Sequence, residues 1–226
     1  MFPYRVRYQT IEFDGLDIHI RSLRDKQQFS DTLGEAEMLG ISSAQWSLFG
    51  VVWDSSQVLA HEMQDYPIAD KRVLEMGCGM ALSSLLLNAR GADITATDYH
   101  PEAGSFLAEN TRLNNGRHIP FLRTSWAETH PGLGRFDVLI GADLLYEQQH
   151  IEQLSGFIQR HASLQCEIIL VDPGRGHYTG FTKKMQSLGY VHSRHKPQCC
   201  DYLQQPFKGH VLKFSRATDD QTASMI

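Results

Sequence analysis

Between residues 73 and 84 the chain reads VLEMGCGMALSS: a short apolar run, two glycines one residue apart, then the start of an apolar helical pattern. A buried strand that passes through a glycine turn straight into a helix opens a βα unit, and such units come in series along one sheet. The series is present. MALSSLLLNAR reads as a helix stopped by Gly91, and DITATD as the next strand. PEAGSFLAENTRLN is a helix with Pro101 near its start, closed by Asn115-Gly116. IPFLRTSW and FDVLIGADLLY are a third and fourth strand, and EQQHIEQLSGFIQRHA is a helix with Ile151, Leu154, Phe157 and Ile158 on one face. EIILVDP is a fifth strand and TGFTKKMQSLG a helix, followed by YVHSRHKP and GHVLKFSR, two late strands suited to antiparallel pairing. Strands alternating with helices predict an α/β, three-layer, Rossmann-like fold around a largely parallel sheet.

The 226 residues suit one such domain, here 51–216. Ahead of it, RVRYQTIEF and LDIHIRSL alternate around Asp14-Gly15 and predict a hairpin; with a partly helical stretch they form an N-terminal extension, 1–50. The last ten residues, 217–226, are expected to be a disordered tail.

A formal charge of −5 argues against a chain whose task is gripping phosphate backbones, so no stable nucleic-acid partner is expected. No apolar run is long enough to cross a bilayer, and the first fifteen residues lack the apolar core of a signal peptide. Cys78, Cys166, Cys199 and Cys200 form no disulfide framework, which favours a reducing cytoplasm. The eleven histidines match no metal-ligand spacing, and no metal is expected.

In sheets of this kind ligands bind beyond the carboxyl ends of the strands, where strand order reverses. Gly77 and Gly79 let a ligand approach the backbone there, but the third glycine of the dinucleotide fingerprint falls at Leu82. The pattern is instead E-x-G-x-G-x-A, from Glu75 to Ala81. A carboxylate at the mouth of the turn would repel a pyrophosphate and attract a cationic ligand. S-adenosylmethionine, with an ammonium, a sulfonium and no phosphate, is such a ligand. Asp98 ends the second strand, 21 residues after Gly77, where an acid can accept hydrogen bonds from both ribose hydroxyls. The competing reading makes Glu75 a helix cap and Asp98 a turn residue.

These stretches resemble the seven-strand (class I) S-adenosylmethionine-dependent methyltransferases, VLEMGCGMALSS their first motif and ATDYHPEA their second, over about residues 46 to 215. The resemblance implies a seven-stranded sheet with an antiparallel last strand. It also implies that Glu75, Gly77 and Gly79 border the methionine end and Asp98 holds the ribose. Further cofactor contacts are implied for Cys78, Tyr99, Ser125, Ala142 and Asp143. FGVVWDSSQVLA, IGADLLYE and VDPGRGHYTGF are similar to methyltransferase family 16, the protein-lysine methyltransferase group. That resemblance places Trp53 against the cofactor and Trp126 on the adenine, and matches Asp143 and Tyr146 to the group's Asp-x-x-Tyr signature.

Methyl transfer is a displacement at an activated carbon, with S-adenosylhomocysteine as product. It needs alignment, desolvation and a neutral amine rather than an enzymic nucleophile. Asp143 can accept a hydrogen bond from that amine; Tyr146 can wall the methylammonium that forms. The plainer alternatives are a helix cap for Asp143, and core packing for Tyr146, Trp53 and Trp126. Enzymes that methylate bases or amides use Asn-Pro-Pro-Tyr where this chain has DLLY, so a protein lysine is the favoured substrate, although members of the resembled group also modify histidine and arginine. A monomer is the expected state. The rivals are a small-molecule or nucleic-acid methyltransferase of the same fold, a nicotinamide-dependent oxidoreductase and a non-catalytic cofactor-holding adaptor.

Overall fold

Residues 4–216 are described by the structure, a computed structural model; the expected tail, 217–226, lies outside them. The chain opens with the hairpin β1 (Val6–Phe13) and β2 (Leu16–Leu23), paired antiparallel across Asp14-Gly15. Two short helices follow, α1 (Glu35–Met38) and α2 (Ser43–Trp46), then a 3-10 turn, Ser47–Gly50, and helix α3 (Asp54–Gln64). The βα series comprises β3 (Arg72–Met76), α4 (Leu82–Ala89), β4 (Asp93–Asp98), α5 (Ala103–Leu113), β5 (Phe121–Arg123) and β6 (Phe136–Ala142). It continues with α6 (His150–His161), β7 (Ala162–Asp172), α7 (Tyr178–Ser187), β8 (Tyr190–His195) and β9 (His210–Arg216).

The main sheet has seven strands in the order β5-β4-β3-β6-β7-β9-β8. β9 is antiparallel to both of its neighbours, and the pairs among β3 to β7 are parallel. The chain runs outward from β3 to β5 and crosses back to β6 beside β3, so strand order reverses between β3 and β6. Side-chain alternation builds one core on each face of the sheet. Val73 of β3 and Val138 and Ile140 of β6 pack with α3, α4 and α5. Leu74, Met76 and Leu139 face the opposite way, against α6 and α7. The three-layer expectation and the antiparallel last strand both hold.

The hairpin is fastened to this body rather than hung from it. Ile18 and Ile20 are fully buried in the core formed with α3 and α4. Two amides of α5 and its cap imitate a neighbouring strand. Asn110 accepts from the Arg21 N–H (2.7 Å) and donates to the Arg21 carbonyl, and Asn114 treats His19 likewise.

Element ends moved most from expectation. The third strand stops at Arg123 because Thr124 bonds back to Asp98 and Ser125 turns onto Glu128. The fourth ends at Ala142, where Asp143 takes a left-handed backbone (φ +55°). The fifth starts five residues early, at Ala162, through an irregular pairing with Phe136.

Candidate active site at the carboxyl edge of the sheet

The glycine turn emerges at the reversal of strand order. Gly77 and Gly79 adopt φ of +58° and +52°, the left-handed region that a side chain disfavours. A Cβ on Gly77 would lie 2.7 Å from Leu144 Cδ2 and 3.6 Å from the Trp126 ring; one on Gly79 would lie 3.0 Å from the Phe49 carbonyl oxygen. Two loops therefore close on the turn from either side. Ser47–Gly50 supplies one wall and the segment after β6 the other.

From sequence, Glu75 is expected at the mouth of this turn. The structure seats it beneath, at 3% exposure. Its Oε2 accepts from the Ser84 N–H at 2.9 Å and from the Ser84 hydroxyl. Ser84 stands in the first turn of α4, so the carboxylate takes up a donor that a phosphate would seek at a helix N-terminus. The helix-cap reading of Glu75 thus describes its contacts. Burial pushes its carboxyl up to about 7, the Asp98 charge adds to the rise, and the two Ser84 bonds oppose it.

Asp98 is also tied into the turn. Its Oδ2 accepts from the Gly79 N–H (2.7 Å) and its Oδ1 from the His100 N–H (2.8 Å). Burial raises its carboxyl against the pull of these bonds. Cys78, between the glycines, is buried, and burial pushes its thiol well up, which suits a filler rather than a nucleophile. His100 stacks on Phe49 (3.8 Å between ring centres), and burial holds it down to about 3, so this wall is an uncharged aromatic surface.

Trp126 and Ser125 follow β5. Arg160 donates to the Trp126 carbonyl at 2.6 Å, and the indole meets His150 edge-on at 5.2 Å while lying against the Gly77 side of the turn. Trp53, just ahead of α3, donates from its indole N–H to the Leu48 carbonyl (3.0 Å), with the Lys26 ammonium 5.3 Å over its ring. Tyr99 is partly exposed and donates to the Leu39 carbonyl (2.7 Å). Trp53 and Tyr99 are thus fixed to residues 39–48, the stretch that ends ahead of α3.

Ala142 closes β6, paired with Val171, and Asp143 follows with its N–H on the Val171 carbonyl (2.8 Å). The Asp143 carboxylate does not cap α6, which begins seven residues later. It binds Arg175 side-on, Nε to Oδ1 at 2.5 Å and Nη2 to Oδ2 at 2.6 Å. Tyr146 is half exposed, edge-on to His150 at 4.4 Å, and feels the charges of Asp98, Asp143 and Arg175. Arg175, Leu144, Phe49 and His150 join the expected residues around the turn. Of these only Arg175 carries a sequence signal, a cation between two glycines after a strand end.

The family model described as lysine methyltransferase matches residues 37–187. The electron transfer flavoprotein beta subunit lysine methyltransferase of Mus musculus is 26% identical over 155 residues, 67% of this chain and 59% of that protein. The histone-arginine methyltransferase METTL23 of Xenopus laevis is 28% identical over 141 residues, 59% of this chain and 57% of that one. The chain therefore spans about three fifths of the length of these curated relatives. Among solved structures, magnesium protoporphyrin IX methyltransferase of Synechocystis PCC 6803, with bound S-adenosylmethionine, shares the fold. Its TM-score is 0.55 at 15% identity, over 86% of this chain and 89% of that one.

Proposed function

The chain belongs to the lysine methyltransferase family, and from that premise we propose that it transfers the methyl group of S-adenosylmethionine to the side-chain amine of a protein lysine. The observation that carries this reading is the place of Asp143. It stands directly after β6, at the carboxyl end of that strand and beside the reversal of strand order, where sheets of this kind bind their ligands.

The residues present fit the cofactor better than a dinucleotide. Glu75 already occupies a donor at the start of α4, which leaves a pyrophosphate poorly served. The Gly77–Gly79 backbone would hold the methionine portion, Asp98 the ribose, and Trp126 and the His100–Phe49 wall the flat surfaces about the crevice. When bound, the cofactor supplies a carbon already activated by its sulfonium. The protein's own part is to exclude water and to aim a neutral amine. Asp143 accepts a hydrogen bond from that amine, and Tyr146 faces the methylammonium that results, a contact worth about 0.5–2 kcal/mol. Residues 27–50 would rest against the substrate protein, for Phe29, Leu33, Met38 and Leu48 expose apolar side chains there.

We further place the protein in the cytoplasm as a monomer, a reading supported by cysteines that are all unpaired and by the acidic balance of the chain. Cell extract incubated with tritiated S-adenosylmethionine and the enzyme tests the substrate class. Label released by protease supports it, whereas label confined to small solutes or nucleic acid rejects it.

A further inference from the structure

Asp143 is the group assigned to the incoming amine, yet both of its oxygens are engaged by Arg175. The Asp143 side chain is 12% exposed and that of Arg175 is 45% exposed, so the guanidinium lies on the solvent side of the carboxylate. That is the side from which a substrate lysine must come. We propose that Arg175 is a tethered cation that occupies the lysine seat on Asp143 and is displaced when substrate enters. The inference rests on the assignment of Asp143 made above.

Three further features fit a latch rather than a structural strut. Arg175 sits between Gly174 (φ +99°) and Gly176 (φ +93°), positions with no atom close enough to confine a Cβ, so the tether can swing. Asp172, at the end of β7, binds the Gly174 N–H through Oδ1 (2.7 Å), while its Oδ2 is buried with no hydrogen-bond partner among the described residues. A displaced guanidinium thus has a second carboxylate within its electrostatic reach. Tyr146, on the same loop as Asp143, feels the charges of Asp98, Glu147, Asp143 and Arg175, with the titratable His150 edge-on to its ring. Of the groups acting on it Arg175 is the cation, the positive charge with which a lysine has to compete. A latch of this kind would deter free amines, whose binding energy lies only in the charge, and admit a lysine presented by a docked protein, which adds contacts elsewhere.

The probe is Nα-acetyl-lysine methylamide, a lysine side chain without a docking surface, added with adenosylhomocysteine and followed by ligand-observed NMR. The intact protein should bind it weakly. Arg175→Ala should bind it at least about tenfold more tightly, as expected where the competent state is a tenth of the population. Arg175→Lys, which restores a cation on the same tether, should return affinity towards the starting value. Adding Asp143→Asn to Arg175→Ala should abolish the gain, asparagine being tolerated at the left-handed position. Equal affinity in the intact protein and Arg175→Ala overturns the latch, as does a gain that survives loss of the Asp143 charge. Failure of adenosylhomocysteine to bind at all, read by calorimetry in the same samples, counts instead against the methyltransferase reading.

Discussion

Replacing Glu75 by glutamine separates two effects of one buried carboxylate. An amide oxygen can accept from the Ser84 N–H and hydroxyl as the carboxylate does, so the start of α4 keeps its partner. What disappears is the charge. Burial raises this carboxyl from 4.5 to about 7 in the folded protein, and at 1.36 kcal/mol for each tenfold in proton affinity that is about 3 kcal/mol. The sign follows from which state ionises first. Below pH 4.5 the acid is neutral in both states and the folded protein keeps its full stability. Between pH 4.5 and 7 the unfolded chain gives up its proton first, and stability falls. Above pH 7 the whole increment is lost. Glutamine titrates in neither state. The advantage of Glu75→Gln over the parent, from urea unfolding without cofactor, should therefore grow by roughly 2–3 kcal/mol between pH 5 and pH 8. Calorimetry should show the opposite trend for function: weaker binding of cationic S-adenosylmethionine, with uncharged adenosine unaffected. A stability difference that stays constant between the two pH values would refute the reasoning.

Asp98→Ala strips the acceptor from the Gly79 and His100 N–H groups; it should lower cofactor affinity at least about tenfold by calorimetry. Asp143→Ala, which removes the acceptor altogether, should leave that affinity nearly intact while abolishing turnover in the tritium assay, and equal cofactor loss in both variants would contradict this division of roles. Gly77→Ala places a methyl 2.7 Å from Leu144 Cδ2 on a left-handed backbone. It should cost about 1–2 kcal/mol in urea unfolding and suppress cofactor binding. Trp126→Ala removes the indole wall but not the carbonyl that Arg160 holds; cofactor affinity should fall in calorimetry by more than the melting temperature would suggest.

Much of the fold was legible because its signals are local. The switch from alternating to helical periodicity, the glycine turn and the stops at Gly91 and Asn115-Gly116 each act within a few residues. The candidate site was legible as far as it lies at or just after strand ends, which is where Asp98, Trp126 and Asp143 stand. What the sequence hid depends on contacts across the chain. Glu75 reads as a charge at an opening, and only the packing of α4 on β3 shows that it is spent on Ser84. Arg175 reads as a loop cation, yet the adjacency of β6 and β7 lays it on Asp143, 32 residues away. Trp53 and Tyr99 read as cofactor residues, and their partners Leu48 and Leu39 belong to a stretch whose mixed pattern gave no register.

The most direct measurement is residue-level mass spectrometry of a proteome treated with the enzyme and S-adenosylmethionine carrying a trideuterated methyl group. Heavy methyl is expected on the Nζ of lysine in one or a few proteins, and none when the enzyme carries Asp143→Ala. Heavy methyl on arginine or only on non-protein molecules, or undiminished lysine labelling by that variant, would contradict that expectation.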